Sequence, residues 1–290
     1  MECIFQRDNM VSTTLRAALL LAVSVAFSAC GTTFNLPAVS DASVSDATRM
    51  FQEERQGSAG QARPSPNQAA RNFVTVASRI EPIAERFCEE QTSDIPNFNC
   101  DVQIVIDDQM PVRNAYQTYA RDGTPIVAFT LPMVADARNQ DEIAFVLGHE
   151  FGHHIARHIQ KGQQQATAGA LILGTLMAAA QAQSAGSPYY NQVQAQQDLQ
   201  NAMDLGYAAG QRAFSQQYEL EADLIGTYIA EAAGYDAVRG ARFFARPEPT
   251  RREDGALSFW GTHPPNEARL ALVIETAGAL RAGQPLERRP

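Results

Sequence analysis

The sequence predicts an α+β fold that is mostly α-helical, with a small β-sheet beside one central helix. Three observations predict it. Several long segments carry apolar residues at helical spacing, two short segments alternate as strands do, and no internal repeat is visible. The chain has 290 residues, of which 45% are hydrophobic, and this is enough apolar material for one sizeable core. We therefore expect one folded domain over residues 69–290.

The first 29 residues have the pattern of an export signal. An apolar run follows an arginine and is followed by small residues, which predicts a signal peptide over residues 1–29, with Met1 or Met10 as its start. The residues before Cys30 resemble a bacterial lipoprotein box, in which the cysteine becomes lipidated; an ordinary signal peptide is the alternative. Gly31 is typical of lipoproteins sorted to the outer membrane. The expected location is therefore the bacterial periplasm, at the outer membrane.

The segment after the signal has little periodicity. Residues 30–68 are rich in Ser, Ala, Asp, Gln and Pro, so we expect a lipidated N-terminus and a flexible tether. Cys88 and Cys100 follow further along. In an oxidising periplasm these two cysteines would form a disulfide around a short turn, and two free buried thiols are the alternative.

The domain begins with a helix and two strands. Helical apolar spacing predicts a helix over residues 69–90, with Pro82 as a candidate kink. Alternation and β-branched residues predict strands at 102–106 and 125–130. The second strand precedes the central helix, so its edge is expected to pair with an extended peptide by strand addition.

The central helix opens at Asn139, with Glu142 three residues later in the arrangement of a capping box. An apolar stripe predicts that this helix continues through His158. Gly148 and Gly152 lie four residues apart and form a row of small residues on it. Such a row predicts close approach by another element.

The second half of the chain contains an insertion between helices. Residues 160–212 are rich in Gln and are expected to form a mobile insertion, either a gate over a site or a solvated loop. An apolar stretch within it, residues 166–180, is short for a membrane span. Strong helices are predicted over 213–233, ending at Gly234, and over 266–280.

A metal site is predicted on the central helix. His149 and His153 lie four residues apart, so both imidazoles project from one helix face and can bind one Zn²⁺ ion per chain. Glu150 lies between them, badly placed to bind the ion but close enough to accept a proton from the attacking water. The pattern HExxH predicts a zinc metallopeptidase, and a structural or adventitious metal site is the alternative.

Hydrolytic zinc needs a third protein ligand, and Glu219 is the best candidate. It lies on a strong helix, and Asp223 on the same face is expected to accept a hydrogen bond from a ligating imidazole. Glu221 is expected to point elsewhere. His154 and His158 are expected to face away from the histidine pair, as surface or supporting residues. A solvated acidic helix face is the alternative for Glu219.

Several motifs together resemble the HtpX and CAAX-prenyl-protease family of zinc metallopeptidases, and its periplasmic BepA- and LoiP-like members best. They are residues 148–153, Glu219 with Asp223, Thr262-His263-Pro264 and Asn114-Ala115-Tyr116, and the resemblance covers roughly residues 73–280. It implies a zincin-like domain of the gluzincin type. In that domain His149, His153 and Glu219 bind zinc, Glu150 is catalytic and Asp223 supports the ligands.

The resemblance also places His263 near the site. A histidine there would act in catalysis by stabilising the tetrahedral intermediate, or would reversibly occupy the open position of the zinc. A loop histidine without a role is the alternative.

These features predict a zinc-dependent endopeptidase that hydrolyses misfolded or misassembled proteins of the cell envelope. The alternative is an envelope lipoprotein that acts mainly in binding or assembly, with a zinc-closed site. Expected partners are unfolded proteins and, through the lipid anchor, a membrane. The net charge of −9 and pI near 5.1 argue against nucleic-acid binding. The pattern does not determine the oligomeric state.

Overall fold

The computed structural model describes residues 31–57, 63–212, 215–246, 259–264 and 266–289, except for the side chain of Trp260. The expected signal peptide and Cys30 lie outside the described residues. Contacts divide the chain into two units. One consists of residues 32–159 and 216–290, and the other contains residues 160–215.

The first unit includes much of the segment that the sequence led us to expect as a flexible tether. Residues Asp41–Gly57 form helix α1. Phe34 and Ala47 are fully buried and Phe51 is nearly so, all in the main core. The expectation of a tether is thus corrected over residues 32–57. Few residues here are apolar, but Ala47 and Phe51 share one helix face, and with Phe34 before the helix they are enough to hold the segment on the core.

Helix α2 covers Pro66–Gln91, with the Ser65 side chain as its N-cap. Pro82 lies inside this helix and does not end it. A disulfide joins Cys88 near its end to Cys100, with a Cα–Cα distance of 5.8 Å. The predicted helix and the predicted pairing of the cysteines are both confirmed.

The sheet has three strands: β1 (Gln103–Asp107), β2 (Ala115–Tyr119) and β3 (Pro125–Thr130), in the order β1-β3-β2. β1 runs parallel to β3, and β2 runs antiparallel to it. Since β3 is paired on both sides, the prediction that its edge receives a peptide is wrong. The pattern missed β2, whose residues are mostly polar or aromatic and only alternately buried.

A short helix α3 (Leu131–Asp136) leads to the central helix α4 (Gln140–Ile155). The Asn139 side chain accepts a hydrogen bond from the Glu142 amide at 3.0 Å, as predicted for a cap. The Glu142 carboxylate accepts instead from the Arg138 amide at 2.7 Å. α4 ends at Ile155, so the prediction that it continues through His158 is wrong. Arg157 has φ of +60°, a left-handed conformation that breaks the helix.

Helix α5 covers His158–Ser184 and α6 covers Gln192–Arg212, so the segment expected to be mobile is largely helical. Gly169 and Gly206 bring the two helices together, because a Cβ on Gly169 would lie 2.1 Å from the carbonyl oxygen of Gly206. Among the described residues, no helix is long and apolar enough to cross a membrane.

The first unit resumes with helix α7 (Ser215–Ala232), and Gly234 follows its end with φ of +76°, as predicted. α7 packs against α4 through small residues. A Cβ on Gly148 would lie 2.8 Å from the Gly226 oxygen, and one on Gly152 would lie 2.9 Å from the Ala222 oxygen. The predicted close approach is confirmed. The remaining elements are α8 (Ala237–Ala241), a 3-10 helix (Arg242–Ala245), α9 (Phe259–Thr262) and α10 (Glu267–Arg281).

Candidate metal centre

The central helix α4 places His149 and His153 in one buried cluster, with Glu150 beside them. His149 and Glu150 are almost completely buried, and the His153 side chain is 13% exposed. The Nε2 atoms of His149 and His153 lie 3.0 Å apart. The spacing of four residues therefore brings both ring nitrogens to one point, as the sequence predicts.

Glu219 reaches the same point from α7. Its carboxylate oxygens lie 3.5 Å from His149 Nε2 and 3.4 Å from His153 Nε2. Bonds of about 2.0–2.2 Å from zinc place the ligand atoms of a tetrahedral site about 3.3–3.6 Å apart. The two distances to Glu219 lie in this range, and the 3.0 Å between the histidine nitrogens is slightly shorter. The three side chains therefore fit a zinc ion in number and type, with a small adjustment of the two imidazoles.

His263 supplies a third ring nitrogen, and thus a fourth candidate ligand, to the cluster. Its Nδ1 lies 3.2 Å from His149 Nε2 and 3.0 Å from Glu219 Oε2. One ligand atom from each of the four residues lies within 4.8 Å of the others. The structure thus places His263 where a fourth metal ligand would lie.

Glu150 lies beside this cluster and does not take part in it. Its Oε1 is buried without a hydrogen-bond partner among the described residues, and lies 3.5 Å from His263 Nε2. Burial raises the pKa of Glu150, and the nearby His263 and His149 act in the opposite direction, as does a hydrogen bond from the backbone of Gln117. A buried carboxylate with raised pKa and an unpaired oxygen has the properties of a proton acceptor.

Two further charges hold the ligands in place. His149 Nδ1 lies 2.9 Å from Asp223 Oδ1, the contact that the sequence predicts. Arg269 donates to both oxygens of Asp223 and lies 3.0 Å from Glu219 Oε2. A carboxylate on the outer nitrogen of a ligating imidazole sets its tautomer and orientation.

The electrostatics of the cluster favour a positive charge at its centre. Burial opposes the charged form of His149, but hydrogen bonds to Asp223 and Glu219 outweigh it and raise its pKa to about 9. Burial also opposes ionisation of Glu219, yet His263 and Arg269 hold its pKa well below the usual range. An ionised carboxylate among buried imidazoles suits a divalent cation.

Comparison with known proteins agrees with this arrangement. The sequence model of peptidase family M48 matches residues 75–277, most of the chain. The chain belongs to peptidase family M48. Family M48 consists of metallopeptidases, so the HtpX-like resemblance seen in the motifs is confirmed, and the α+β fold with its small sheet agrees with it.

A curated relative is similar to this chain over 191 residues. It is the mitochondrial metalloendopeptidase OMA1 of Arabidopsis thaliana, 28% identical over 191 residues. The match covers 63% of this chain but 33% of the relative. The chain therefore corresponds to about a third of that protein's length.

Three residues near the centre were expected to point away from it, and one of them, His158, does not. His154 is buried between Tyr119 Oη, at 3.0 Å from Nδ1, and the Asn99 carbonyl. His158 does not face away: its Nδ1 lies 2.8 Å from His153 Nδ1. Glu221 points away from the cluster, as expected, but it is fully buried and bonds to His158. The expected helical path past Ile155 gave the wrong direction for His158.

The short helix α9 presents His263 to the cluster. The Phe259 ring stacks on His263 with centroids 4.6 Å apart, and the Phe259 amide donates to the Arg113 carbonyl at 2.9 Å. The Thr262 hydroxyl contacts Asn114 Oδ1 at 3.4 Å. The residues just before β2 therefore anchor α9, which gives the motif at Asn114 a structural reason.

Arg269 is the functional residue that the motifs missed. It is 1% exposed and lies on α10 four residues before the buried Val273. A charged residue on the apolar face of a helix is a signal for a buried ion pair. That signal indicates a carboxylate partner but not which one, since Glu219 and Asp223 come from another helix.

Proposed function

We propose that this chain is a zinc-dependent endopeptidase that hydrolyses unfolded or misassembled proteins of the bacterial cell envelope. One observation carries the peptidase activity. Three candidate ligand side chains meet at distances that suit one zinc ion, beside a buried glutamate oxygen that has no hydrogen-bond partner among the described residues. Membership of family M48 supports the same activity.

His149, His153 and Glu219 would hold the zinc. When bound, zinc acidifies a water molecule and polarises the carbonyl of the peptide bond. Glu150 accepts a proton from the attacking water at Oε1 and returns it to the departing amine. Its raised pKa suits both steps, because the same group must take and release a proton.

His263 restrains this activity by taking the position that the attacking water needs. The support is the placement of its Nδ1 at 3.2 Å from His149 Nε2 and 3.0 Å from Glu219 Oε2. Movement of α9 would free that position. The imidazole would then be available for the other role predicted for it, stabilisation of the tetrahedral intermediate.

Strand β2 is the better candidate for binding an extended peptide. It pairs only with β3 in the described part of the chain, and the backbone of its Gln117 lies near enough to Glu150 to lower the pKa of that carboxyl. Pairing with a strand edge uses main-chain groups and favours unfolded segments over particular sequences. This strand edge therefore supports unfolded proteins as the substrate class.

The envelope location rests on the signal-like residues 1–29 and on Cys30 as a lipid anchor. The disulfide between Cys88 and Cys100 supports it, because such bonds persist in oxidising compartments. The helical segment 160–212 as a gate is part of the same proposal.

A zinc-closed assembly factor is the second candidate function, and the position of His263 favours it. To distinguish the two functions, the purified protein and its Glu150→Gln variant are tested for zinc content and for cleavage of an unfolded protein. The endopeptidase predicts about one zinc per chain in both and about a 10²–10⁴-fold loss of cleavage in the variant. If both forms bind an unfolded protein and neither cleaves it, the assembly factor is favoured.

A further inference from the structure

The outer nitrogen of His153 belongs to a chain of buried hydrogen bonds. Nε2 of His153 faces the cluster, while Nδ1 lies 2.8 Å from Nδ1 of His158. Nε2 of His158 lies 2.9 Å from Glu221 Oε2. The other oxygen of Glu221 accepts from the Phe34 amide at 2.6 Å. This series of hydrogen bonds therefore links His153, a candidate metal ligand, to Phe34, near the start of the described residues.

The direction of each bond follows from the two ends. When His153 binds a metal through Nε2, its Nδ1 carries the proton and donates to His158. His158 then accepts at Nδ1 and donates from Nε2 to Glu221. At the far end, the Phe34 amide is a donor that cannot change. With donors at both ends, Glu221 must accept at both of its oxygens.

Only an ionised carboxylate meets this requirement. It accepts at both oxygens, whereas the amide of glutamine accepts at one atom and donates at the other. Glu221 is fully buried and the His158 side chain is 4% exposed, so water cannot readily correct a mismatch. The chemistry of the chain therefore explains why a glutamate, and not its isostere, lies at position 221.

The surroundings hold each member of the chain in place. Arg157, with φ of +60°, turns the backbone after α4 so that His158 returns toward His153. The His158 ring stacks on Tyr218, with centroids 4.4 Å apart and planes inclined by 16°. A non-glycine residue in this conformation costs some free energy, which the contacts of His158 help to offset.

The Phe34 amide is fixed by pairing with the C-terminal segment. Phe34 forms an antiparallel bridge with Arg288. The Asn35 amide donates to the Glu287 carbonyl at 2.9 Å, and the Arg289 amide donates to the Thr33 carbonyl at 2.8 Å. The fully buried Phe34 ring adds an apolar anchor. These contacts aim the amide at Glu221.

We propose that His158 and Glu221 are positioning residues that hold His153 in the tautomer that binds the metal, and that the Phe34 amide fixes Glu221 for this task. The inference rests on the zinc site of the proposed function. In this proposal, a carboxylate from α7 supports each of the two histidines. Asp223 supports His149 directly, whereas Glu221 supports His153 through the imidazole of His158.

The test compares Glu221→Gln with Glu231→Gln in the full chain. Both variants replace a carboxylate of α7 by an amide, but Glu231 bonds to the Ala237 amide and Arg281, away from the cluster. Zinc affinity is measured by competition with a chelator. Glu221→Gln should weaken zinc binding about 10–100-fold, the usual effect of losing such a partner. Glu231→Gln should bind zinc as the wild type does.

NMR of the imidazole nitrogens supplies a readout that a merely structural role would not move. In the metal-free wild type, His153 should carry its proton on Nδ1, hydrogen-bonded to His158. In metal-free Glu221→Gln, we expect a shift of His153 toward the tautomer protonated on Nε2. An unchanged tautomer together with unchanged zinc affinity would overturn the proposal.

Two substitutions of His158 keep the proposal testable if Glu221→Gln fails to fold. His158→Gln can accept from His153 and donate to Glu221, whereas His158→Met, of similar length, can do neither. Zinc affinity should therefore fall less in His158→Gln than in His158→Met. Equal zinc affinities of the two variants would contradict the positioning role of His158. A wild type that holds no zinc would overturn both this proposal and the proposed function. A zinc-binding wild type whose variants bind zinc equally well would overturn only the positioning role of His158 and Glu221.

Discussion

The guanidinium group of Arg269 donates to both carboxylate oxygens of Asp223, with Nε 2.6 Å from Oδ2 and Nη2 2.7 Å from Oδ1. Both side chains are almost completely buried. Arg269 also lies over the Phe244 ring, 4.0 Å from its centroid. One arginine from α10 thus neutralises the carboxylate behind His149 and contacts the ligand Glu219.

Replacing Arg269 by Met should destabilise the fold strongly. It leaves two buried carboxylates without their cation, and breaking a buried pair in this way costs about 3–5 kcal/mol. Urea unfolding of the metal-free protein measures the loss. Arg281→Met is the matched control on the same helix, because its pair with Glu231 is partly exposed. A loss no larger than that of the control would contradict the role of Arg269.

Replacing Gly226 by Ala should push α7 away from α4. The added Cβ would lie 2.8 Å from the backbone nitrogen of His149, and such overpacking costs about 1–3 kcal/mol of stability. Because α7 carries Glu219, zinc affinity should fall as well. Gly278→Ala on α10 is the control, since a Cβ there has no atom within 4 Å and should be neutral or slightly stabilising. If both variants behave alike, the contact between α4 and α7 is not needed for the site.

Replacing His263 by Ala should raise the rate of peptide cleavage. The imidazole that takes the fourth ligand position is removed, and the rise is about tenfold if about a tenth of the molecules are open. Initial rates on an unfolded protein measure it. Glu150→Gln combined with His263→Ala should stay inactive, which shows that the gain comes from the same site. A fall in rate would instead favour stabilisation of the tetrahedral intermediate by His263.

The stabilising contribution of Asp136 should be lost in acid. Burial opposes its ionisation, but Arg113, with Arg246 and Arg63, keeps its pKa below the ordinary 3.8. A lowered folded-state pKa gives stability that is present above the unfolded value and disappears as the pH falls through the folded one. Asp136→Asn should therefore lower the free energy of unfolding near neutral pH, because it removes the carboxylate that the buried Arg113 and Arg246 share.

The difference between wild type and Asp136→Asn should shrink between about pH 5 and pH 2. Urea unfolding of the metal-free protein at several pH values follows it, with the exposed Asp108→Asn as control. A difference that stays constant with pH would show that the carboxylate charge contributes nothing. The network matters to the site because the Arg113 carbonyl holds the Phe259 amide of α9.

Local patterns predicted the parts of the site that lie on one helix. His149, Glu150 and His153 are neighbours in α4, so helical spacing alone brings the two imidazoles together. The N-cap at Asn139 and the glycine row are equally local, and the structure has both. The sequence also predicted that Glu219 and Asp223 act together, because residues four apart on a helix share a face.

Patterns failed where the backbone left its expected path or where a contact joined distant segments. Arg157 ends the regular helix and turns His158 inward, which periodicity cannot indicate. Strand β2 is too polar to be identified and exists because β3 offers it an edge. Residues 32–57 resemble a linker in composition, yet Phe34 and Phe51 bury themselves in the core.

The sequence by itself determined that two histidines share one helix face with a glutamate next to the first of them, and its family resemblance led us to expect Glu219 and His263 at the same site. The tertiary structure alone decided which charges surround them. Arg269 meets Asp223, Glu221 meets His158, and the Phe34 amide reaches Glu221. These contacts join residues far apart in the chain. Their geometry depends on how helices pack and not on the spacing along any one of them.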